Sequence, residues 1–489
     1  MSPDEQRKLD RMFNPRGMAV FGNMSRPGSF GYGTVMSQLA YGYKGRLYPI
    51  SPRGGDMAGL KVYRSLNEVD GPVDLATVTV PARFVPDVLR DCLKFGVAGA
   101  QILSSGFAET GESQGMALQK EITAIASKGL RIIGPNCFGI HSPRGGITLP
   151  PGSDFSREPG PVAMISQSGG GALRFAREAL GGGLTLSKLI SYGNGCDLEA
   201  VQLLEYLADD AETEYIAAYI EGVKDGQGFL KALKKLTPQK PVVIWKGGLT
   251  PLGSRATQSH TGSLGGQARI WKGALIQAGA VVVQGMDEVV DALMALKYLK
   301  NRGRKIALVG GGGAIGVFSC DTASRLGLEV PVFSPETRKR LHEHFPTPGN
   351  SVLNPLDTGT PRLPLELLAP MVEEILVNEP VDALVVVMLL HAVTRDRLTS
   401  LEGPVPPANS RYLEGLLEIL SRLRTKTEKD IVVVFENWTT NDLSEVEVDR
   451  VFRQMRLQFQ AEGIPVFPST ARALKGIRKA AGIKEGPGL

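Results

Sequence analysis

Short apolar runs rich in Val, Ile and Leu alternate along the chain with longer stretches of helical period, and many of the runs end in Gly, Pro, Ser or Asn. That rhythm predicts parallel strands joined by crossover helices. A first block reads "GMAVFG", "RLYPISP", "DLATVTVP", "GAQILSSGF" and "LRIIGPN". The amphipathic stretches "RFVPDVLRDCLKFG" and "GMALQKEITAIASKG" lie between its later strands, which makes a five-stranded sheet of nucleotide-binding type. The linker "HSPRGGITLPPGSDFSREPGP", dense in Pro and Gly, sets a boundary near residue 155. The second block runs through "VAMISQSGG", "LTLSKLISYG", "YIAAYIEGV", "KPVVIWKGG" and "AVVVQG". A third opens at "NRGRKIALVGGGGAIGVFSCDTASRLG", near residue 302, and continues through "LEVPVF", "DALVVVMLLHA", "DIVVVFENW" and "IPVFPS". The expected organisation is an α/β chain of three doubly wound domains with parallel sheets, covering 1–150, 156–300 and 301–489.

Length agrees with that division, since 489 residues are too many for one core and suggest about three domains of roughly 150 residues each. The net charge is +5 with no long run of Lys or Arg, so nothing calls for a nucleic acid or an anionic membrane as partner. Cys92, Cys137, Cys196 and Cys320 form no paired spacing, which disfavours a disulfide framework or a zinc site and fits a reducing compartment. The polar N-terminus lacks the apolar core of a signal peptide and no apolar run reaches membrane-spanning length, so the expected location is cytoplasmic.

Glycine-rich turns follow a strand in every block, and such turns let backbone N–H groups approach an anion at a helix N-terminus. In "AVFGNMSRPGSFGYGTVMSQLA" the turn spans Gly22 to Gly33, with Asn23, Ser25 and Arg26 as further polar contacts for a cofactor's phosphates. Its spacing is not G-x-G-x-x-G, and Arg53 stands where a dinucleotide site would place a ribose-binding acid, which disfavours a Rossmann oxidoreductase. The second block offers Ser166, Gln167 and Ser168 before glycines and a helix, again an anion-binding arrangement or simply an N-cap. A Gly-x-Ser-x-Gly elbow is absent, so a hydrolase lacks its main turn. Glu221 ends a buried run at the sheet edge where such proteins build sites. His260, one of five histidines, sits in "GSRATQSHTGSLGG" with no carboxylate or metal-ligand spacing nearby, and no metal site is expected.

Taken in order, "GNMSRPGSFGYG", "YPISPRGGDMAGLKVYRSLNEVDGPVDLATVTVPA", "SSGFAETGE", "RIIGPNCFGIHSP", "SQSGG", "SYGNGCDLEAVQLLEYLADD", "YIEGVKDG", "WKGGLTPLGSRATQSHTGSLGG" and "NPLD" cover most of the chain. In this set the chain resembles the nucleoside-diphosphate-forming acyl-CoA synthetases, in particular the α subunit of ADP-forming acetyl-CoA synthetase, related to succinyl-CoA synthetase. The resemblance implies a Rossmann-like CoA-binding domain followed by two flavodoxin-like ligase domains. It implies that His260 is phosphorylated during turnover and that Glu221 holds the imidazole's other nitrogen, as carboxylates do at other histidine sites. A neutral imidazole is a good nucleophile near neutral pH, which suits that use. Acyl-CoA and phosphate would give an acyl phosphate, His260 would take its phosphoryl group, and ADP would receive it. Amides of the turn Ser166, Gln167, Ser168, Gly169 and Gly170 would stabilise the transferring charge.

For coenzyme A, the resemblance implies phosphate contacts at Gly22, Asn23, Met24, Ser25 and Arg26, flanked by Ser51, Pro52 and Arg53, with Val80 and Pro81 near the nucleotide. Ser104, Ser105 and Gly106 would lie further along the cofactor, and Pro135, Asn136 and Cys137 near the thiol. Relatives commonly read Gly-Ala-Ser-Arg and Asn-Pro-Lys where this chain has "GNMSR" and "SPR". Arg53 keeps the positive charge but binds phosphate through a planar fork. The family carries its ADP/ATP and Mg on an ATP-grasp module, and no such segment is recognisable here. The expected partner is therefore an ATP-grasp β subunit, in an α2β2 assembly acting on a small carboxylic acid. The alternative is a CoA-binding regulatory or scaffold protein, which would have no chemical reason to keep the pair His260 and Glu221. The loop 396–411, rich in Pro, is a candidate contact surface.

Overall fold

The computed structural model describes residues 1–261, 267–345, 350–394, 407–438 and 446–482, with the side chains at 256 and 258–261 outside that set. Seven strands come first: β1 (Gly17–Phe21), β2 (Arg46–Ile50), β3 (Gly55–Met57), β4 (Leu60–Val62), β5 (Leu75–Val78), β6 (Gly99–Ile102) and β7 (Arg131–Ile133). Five of them make a parallel sheet of order β2-β1-β5-β6-β7, with β3 and β4 as an antiparallel hairpin beside it. β1, β5 and β6 are buried along their whole length, as expected of apolar strands covered by helices on both faces. The chain winds to β2 on one side of β1 and to β5 on the other, so the crevice at the C-terminal ends of β1 and β5 is the switch point of this sheet.

A second sheet takes β8 (Gly139–His141), β9 (Val162–Ser166), β10 (Leu186–Ser191), β11 (Tyr215–Ile220), β12 (Val242–Lys246) and β13 (Val281–Val283) in the order β13-β12-β11-β9-β10-β8. Five strands are parallel, and β8 runs antiparallel to β10. The mostly parallel sheet thus gains one antiparallel edge strand, Gly139–His141, where the Pro/Gly-rich stretch begins. Here the switch point is β9, with β10 and β11 on either side. The third sheet, β14 (Ile306–Gly310), β15 (Ala383–Leu389), β16 (Asp430–Glu436) and β17 (Val466–Phe467), is parallel and in chain order. "LEVPVF" forms no strand there. Glu329 makes one isolated bridge to Lys305, Pro331 has no N–H to give a ladder, and Val332 is exposed.

Two compact units result, Met1–Val290 with the first two sheets and Asp291–Leu489 with the third. The first two sheets share one core, in which Leu9, Met12 and Phe13 belong to the same cluster as Ile165, Ile190 and Tyr206. The Phe13 and Tyr206 rings lie 4.8 Å apart. The Arg131 guanidinium donates twice to Asp197, at 3.0 and 3.2 Å. Both switch points therefore belong to one body. No helix among the described residues is long and apolar enough to cross a membrane. Residues 396–406 of the loop singled out above lie outside the described residues.

Candidate functional site

At the end of β1, Gly22 is required by close approach: a Cβ there would lie 2.1 Å from Thr79 Oγ1 and 3.0 Å from the Cα of Gly31. The helix Phe30–Tyr41 thus packs directly on the strand ends, with Ser29 as its N-cap. The Asn23 carboxamide oxygen accepts from the Ser25 N–H at 3.1 Å and from its hydroxyl at 3.0 Å, so these two predicted contacts shape the turn first. Met24 is buried, whereas Arg26, Pro52 and Arg53 are exposed, with Ser51 between them and the sheet. At the next strand ends Ser104 donates to the Val80 carbonyl at 2.5 Å, and Asn136, at φ 58°, gives its N–H to the Ser104 carbonyl.

The second sheet contributes the turn after β9. Ser166 is buried, and its hydroxyl donates to the Ser168 carbonyl at 2.7 Å and accepts from the Ser168 N–H at 3.2 Å. Ser168 in turn caps the helix Gly169–Gly181, accepting from Gly171 at 3.2 Å. The Gln167 N–H goes to the Tyr219 carbonyl. Among the described residues no group takes up the amides of Gly169 and Gly170, the first two positions of that helix. A partial positive charge accompanies them at the helix N-terminus. The sequence reading assigned five residues to this cradle, and the structure separates their parts. Ser166 and Ser168 build the turn, while Gly169 and Gly170 offer donors.

Both groups meet in one cavity of about 470 Å³. It is lined from the first sheet by Val80, Pro81, Ser104, Ser105, Asn136 and Cys137, and from the second by Gln167, Ser168, Gly169 and Gly170. Phe30, Thr79, Leu103 and Phe138, which the sequence did not single out, complete the wall. Phe138 lies against the helix start so closely that a Cβ on Gly169 would fall 2.1 Å from its ring. Gly22, Asn23, Met24, Ser25, Arg26, Ser51, Pro52, Arg53, Gly106, Pro135, Ser166 and Glu221 stand outside this lining.

Glu221 follows β11 directly and is buried. Its carboxylate accepts from the Tyr219 hydroxyl at 3.0 Å. Its N–H and that of Gly222 both donate to the Gln167 side-chain oxygen, at 2.7 and 3.1 Å. Its carbonyl accepts from the Lys246 ammonium at 2.7 Å. Gln167 thus joins the turn Ser166–Gly170 to the carboxylate strand, and the residue also lines the cavity. The chain at His260 is helical, in Pro251–Thr261. Pro251 suits the first turn and Thr250 accepts from the Gly253 N–H at 3.0 Å, so the start is well capped. The helix runs beside the turn Ala108–Thr110. The His260 side chain and residues 262–266 lie outside the described residues.

Burial pushes the Cys137 thiol up to about 12, against weaker lowering contacts from the Gly139 and Ile102 backbone. A thiolate nucleophile is thereby disfavoured, although the residue lines the cavity. Burial also lowers Lys246 to about 8, a shift that the nearby Glu221 charge opposes. Two polar groups escaped the sequence reading. Glu109 accepts from the Gly106 and Phe107 N–H groups at 2.6 and 3.1 Å and from Asn194 at 2.5 Å, fixing the turn after β6. Lys246, in "WKGG", carries no motif of its own and is buried at the end of its strand.

Comparison with known proteins falls on the same two sheets. A family model for a CoA binding domain matches residues 16–143, and one for a succinyl-CoA ligase like flavodoxin domain matches 159–296. The chain is 39% identical over 352 residues to the α subunit of an ADP-forming acetate–CoA ligase II of Pyrococcus furiosus, covering 71% of this chain and 76% of that one. To the α subunit of ligase I of the same organism it is 37% identical over 357 residues, with the same coverage. A solved structure described as Ca. Korarchaeum cryptofilum dinucleotide forming acetyl-coenzyme A synthetase 1, in complex with phosphate and ADP, superposes with a TM-score of 0.80. Its identity is 28%, with 97% of this chain and 96% of that one covered.

Proposed function

The chain belongs to the family of ADP-forming acetate–CoA ligase α subunits, and from that premise we propose the residues, domains and partner through which it works. It is an acid–CoA ligase subunit with coenzyme A as a substrate. Residues 1–150 act as the CoA-binding domain, 156–300 as the ligase domain with the phosphohistidine segment, and 301–489 as the second ligase domain. The three sheets support that division. The observation that carries the mechanism is the shared cavity, where Val80, Pro81, Ser104, Ser105, Asn136 and Cys137, expected along coenzyme A, meet the open amides of Gly169 and Gly170.

A phosphate held by those amides and by the Gln167 Nε2 attacks the thioester carbonyl. The C–S bond breaks, the thiol leaves with the phosphate's proton, and an acyl phosphate results. One ring nitrogen of His260 then attacks the phosphorus, and the carboxylic acid departs as its carboxylate. Glu221 accepts the proton-bearing side of the ring and balances the positive charge of the phosphohistidine. The turn amides and helix dipole stabilise the phosphoryl oxygens throughout. An ATP-grasp β subunit, in an α2β2 assembly, supplies ADP with Mg and takes the phosphoryl group to ATP. The whole sequence runs in reverse to activate an acid.

The test is to incubate the purified chain with acetyl-CoA and radiolabelled phosphate, and separately with labelled acetyl phosphate, and to map acid-labile phosphate. Label is expected at His260, absent in His260→Ala and strongly slowed in Glu221→Gln. If wild type and His260→Ala incorporate equally little while both bind coenzyme A, the catalytic reading fails and a CoA-binding regulator is left.

A further inference from the structure

Lys246 is the last residue of β12, and only 3% of it is exposed. A buried ammonium has three protons to place and no water to take them. Here one goes to the Glu221 carbonyl at 2.7 Å and another to the Gly247 carbonyl. The Nζ also lies 4.9 Å from the centroid of the Trp271 ring, a cation–π contact. These three acceptors come from three different places in the chain. Glu221 follows β11, Gly247 opens the segment that leads into the helix Pro251–Thr261, and Trp271 stands on Ala268–Gln277, the helix that closes it.

Gly247 is itself confined, since a Cβ on it would lie 2.7 Å from the Tyr219 hydroxyl, the group that donates to the Glu221 carboxylate. The Glu221 peptide is gripped on both sides, its N–H by Gln167 and its C=O by Lys246. We propose that Lys246 is a positioning residue for the phosphohistidine relay, its buried ammonium fixing the Glu221 backbone together with both ends of the segment that carries His260. The assignment rests on the reading of His260 and Glu221 given above.

A charge held for structure alone would be a poor choice, because burying a cation costs more than burying an apolar side chain of like size. The groups that face the ammonium define its titration. On β11 and directly after it these are the Tyr219 phenol, which burial keeps protonated well past neutral pH, and the Glu221 carboxylate, which favours the charged form. The helix Ala268–Gln277 presents the Trp271 ring, and the neighbouring strand β13 pairs with β12 through Val283. Burial wins, so the ammonium loses its proton near pH 8 rather than at its ordinary value of 10.5.

The sign of the linkage separates positioning from stability. Above about pH 8 the native lysine is neutral while the unfolded one still binds its proton, so native stability from this group rises between about 8 and 10.5. Positioning weakens over the same interval, because the neutral amine is a weaker donor. Rate and stability move in opposite directions.

The experiment measures His260 labelling from acetyl phosphate by the full chain, between pH 6 and 10, for wild type, Lys246→Arg and Lys246→Met, with coenzyme A affinity and denaturation midpoint beside it. Wild type should lose rate above about pH 8, and Lys246→Arg, which stays charged, should keep that rate to higher pH. Lys246→Met should be slower by roughly tenfold or more below about pH 8, where the native lysine is charged, with the gap narrowing above it and coenzyme A affinity unchanged. The proposal is overturned if Lys246→Met labels like wild type with the same alkaline limb. It is also overturned if both variants lose rate, affinity and midpoint together, as a purely structural lysine would cause. Absence of label on wild-type His260 would instead remove the underlying reading, and the positioning role with it.

Discussion

Replacing Gln167 separates two roles that one side chain fills. Its Oε1 accepts from the N–H groups of Glu221 and Gly222, at 2.7 and 3.1 Å, and the residue is 8% exposed. Gln167→Ala leaves both donors without that acceptor, and an unsatisfied buried donor costs about 1–3 kcal/mol. A water entering from the cavity can serve one of them, so we expect a net loss of about 2 kcal/mol. For the body Met1–Val290 that lowers the thermal unfolding midpoint by roughly 3 °C. Gln167→Glu keeps an oxygen for the two donors, so its stability should stay near wild type. It also replaces the Nε2 donor by an oxygen bearing negative charge. A like-charge pair about 4 Å apart near a protein surface is worth roughly 4 kcal/mol. Opposite a phosphoryl group this amounts to a rate loss on the order of a thousandfold. Thermal melts of the full chain read the first effect, and His260 labelling from acetyl phosphate reads the second. The reasoning is refuted if Gln167→Glu labels at the wild-type rate, or if Gln167→Ala melts with wild type.

With its thiol near 12, Cys137 holds only about one part in 10⁴ as thiolate at pH 8. Iodoacetamide should therefore spare it in the native chain, and Cys137→Ala should label His260 within about tenfold of wild type; rapid alkylation, mapped by mass spectrometry, would contradict the assignment. His141 is buried against Tyr41 and Phe155, and burial lowers its imidazole to about 4 from 6.5. The native ring stays neutral where the unfolded one binds a proton, so stability falls as pH drops from about 6.5 to about 4. The loss from this residue is on the order of 3 kcal/mol. Denaturation midpoints between pH 7 and pH 4 should fall less steeply in His141→Gln, and an unchanged slope would count against it.

Strands were legible wherever an apolar run ended in a local turn. All five strands of the first sheet and all five parallel strands of the second coincide with runs visible in the sequence. "LEVPVF" misled because apolar composition does not reveal that Pro331 breaks a ladder. β8 was hidden because three residues carry no period. At the site, the turn Ser166 to Gly170 was readable because its chemistry is local. The contacts of Gln167 and Lys246 were not, because they exist only through pairing of distant strands: Ser166 stands beside Tyr219, and Ile220 beside Lys246. His260 drew its expected role from the family resemblance, and the helix around it was hidden, since Gly and Ser there suggest a loop while Thr250 and Pro251 start a helix.

The side-by-side endings of β9, β11 and β12 also say how such a protein can change. The turn Ser166–Gly170, the carboxylate and the ammonium are gauged against one another by strand registers. Slipping one strand by a single residue would turn its side chains to the opposite face. The strands are thus closed to insertions and deletions. Lineages descended from such a fold can therefore be expected to record their differences in connecting segments and in cavity walls such as Phe30 and Phe138, while strand lengths stay constant.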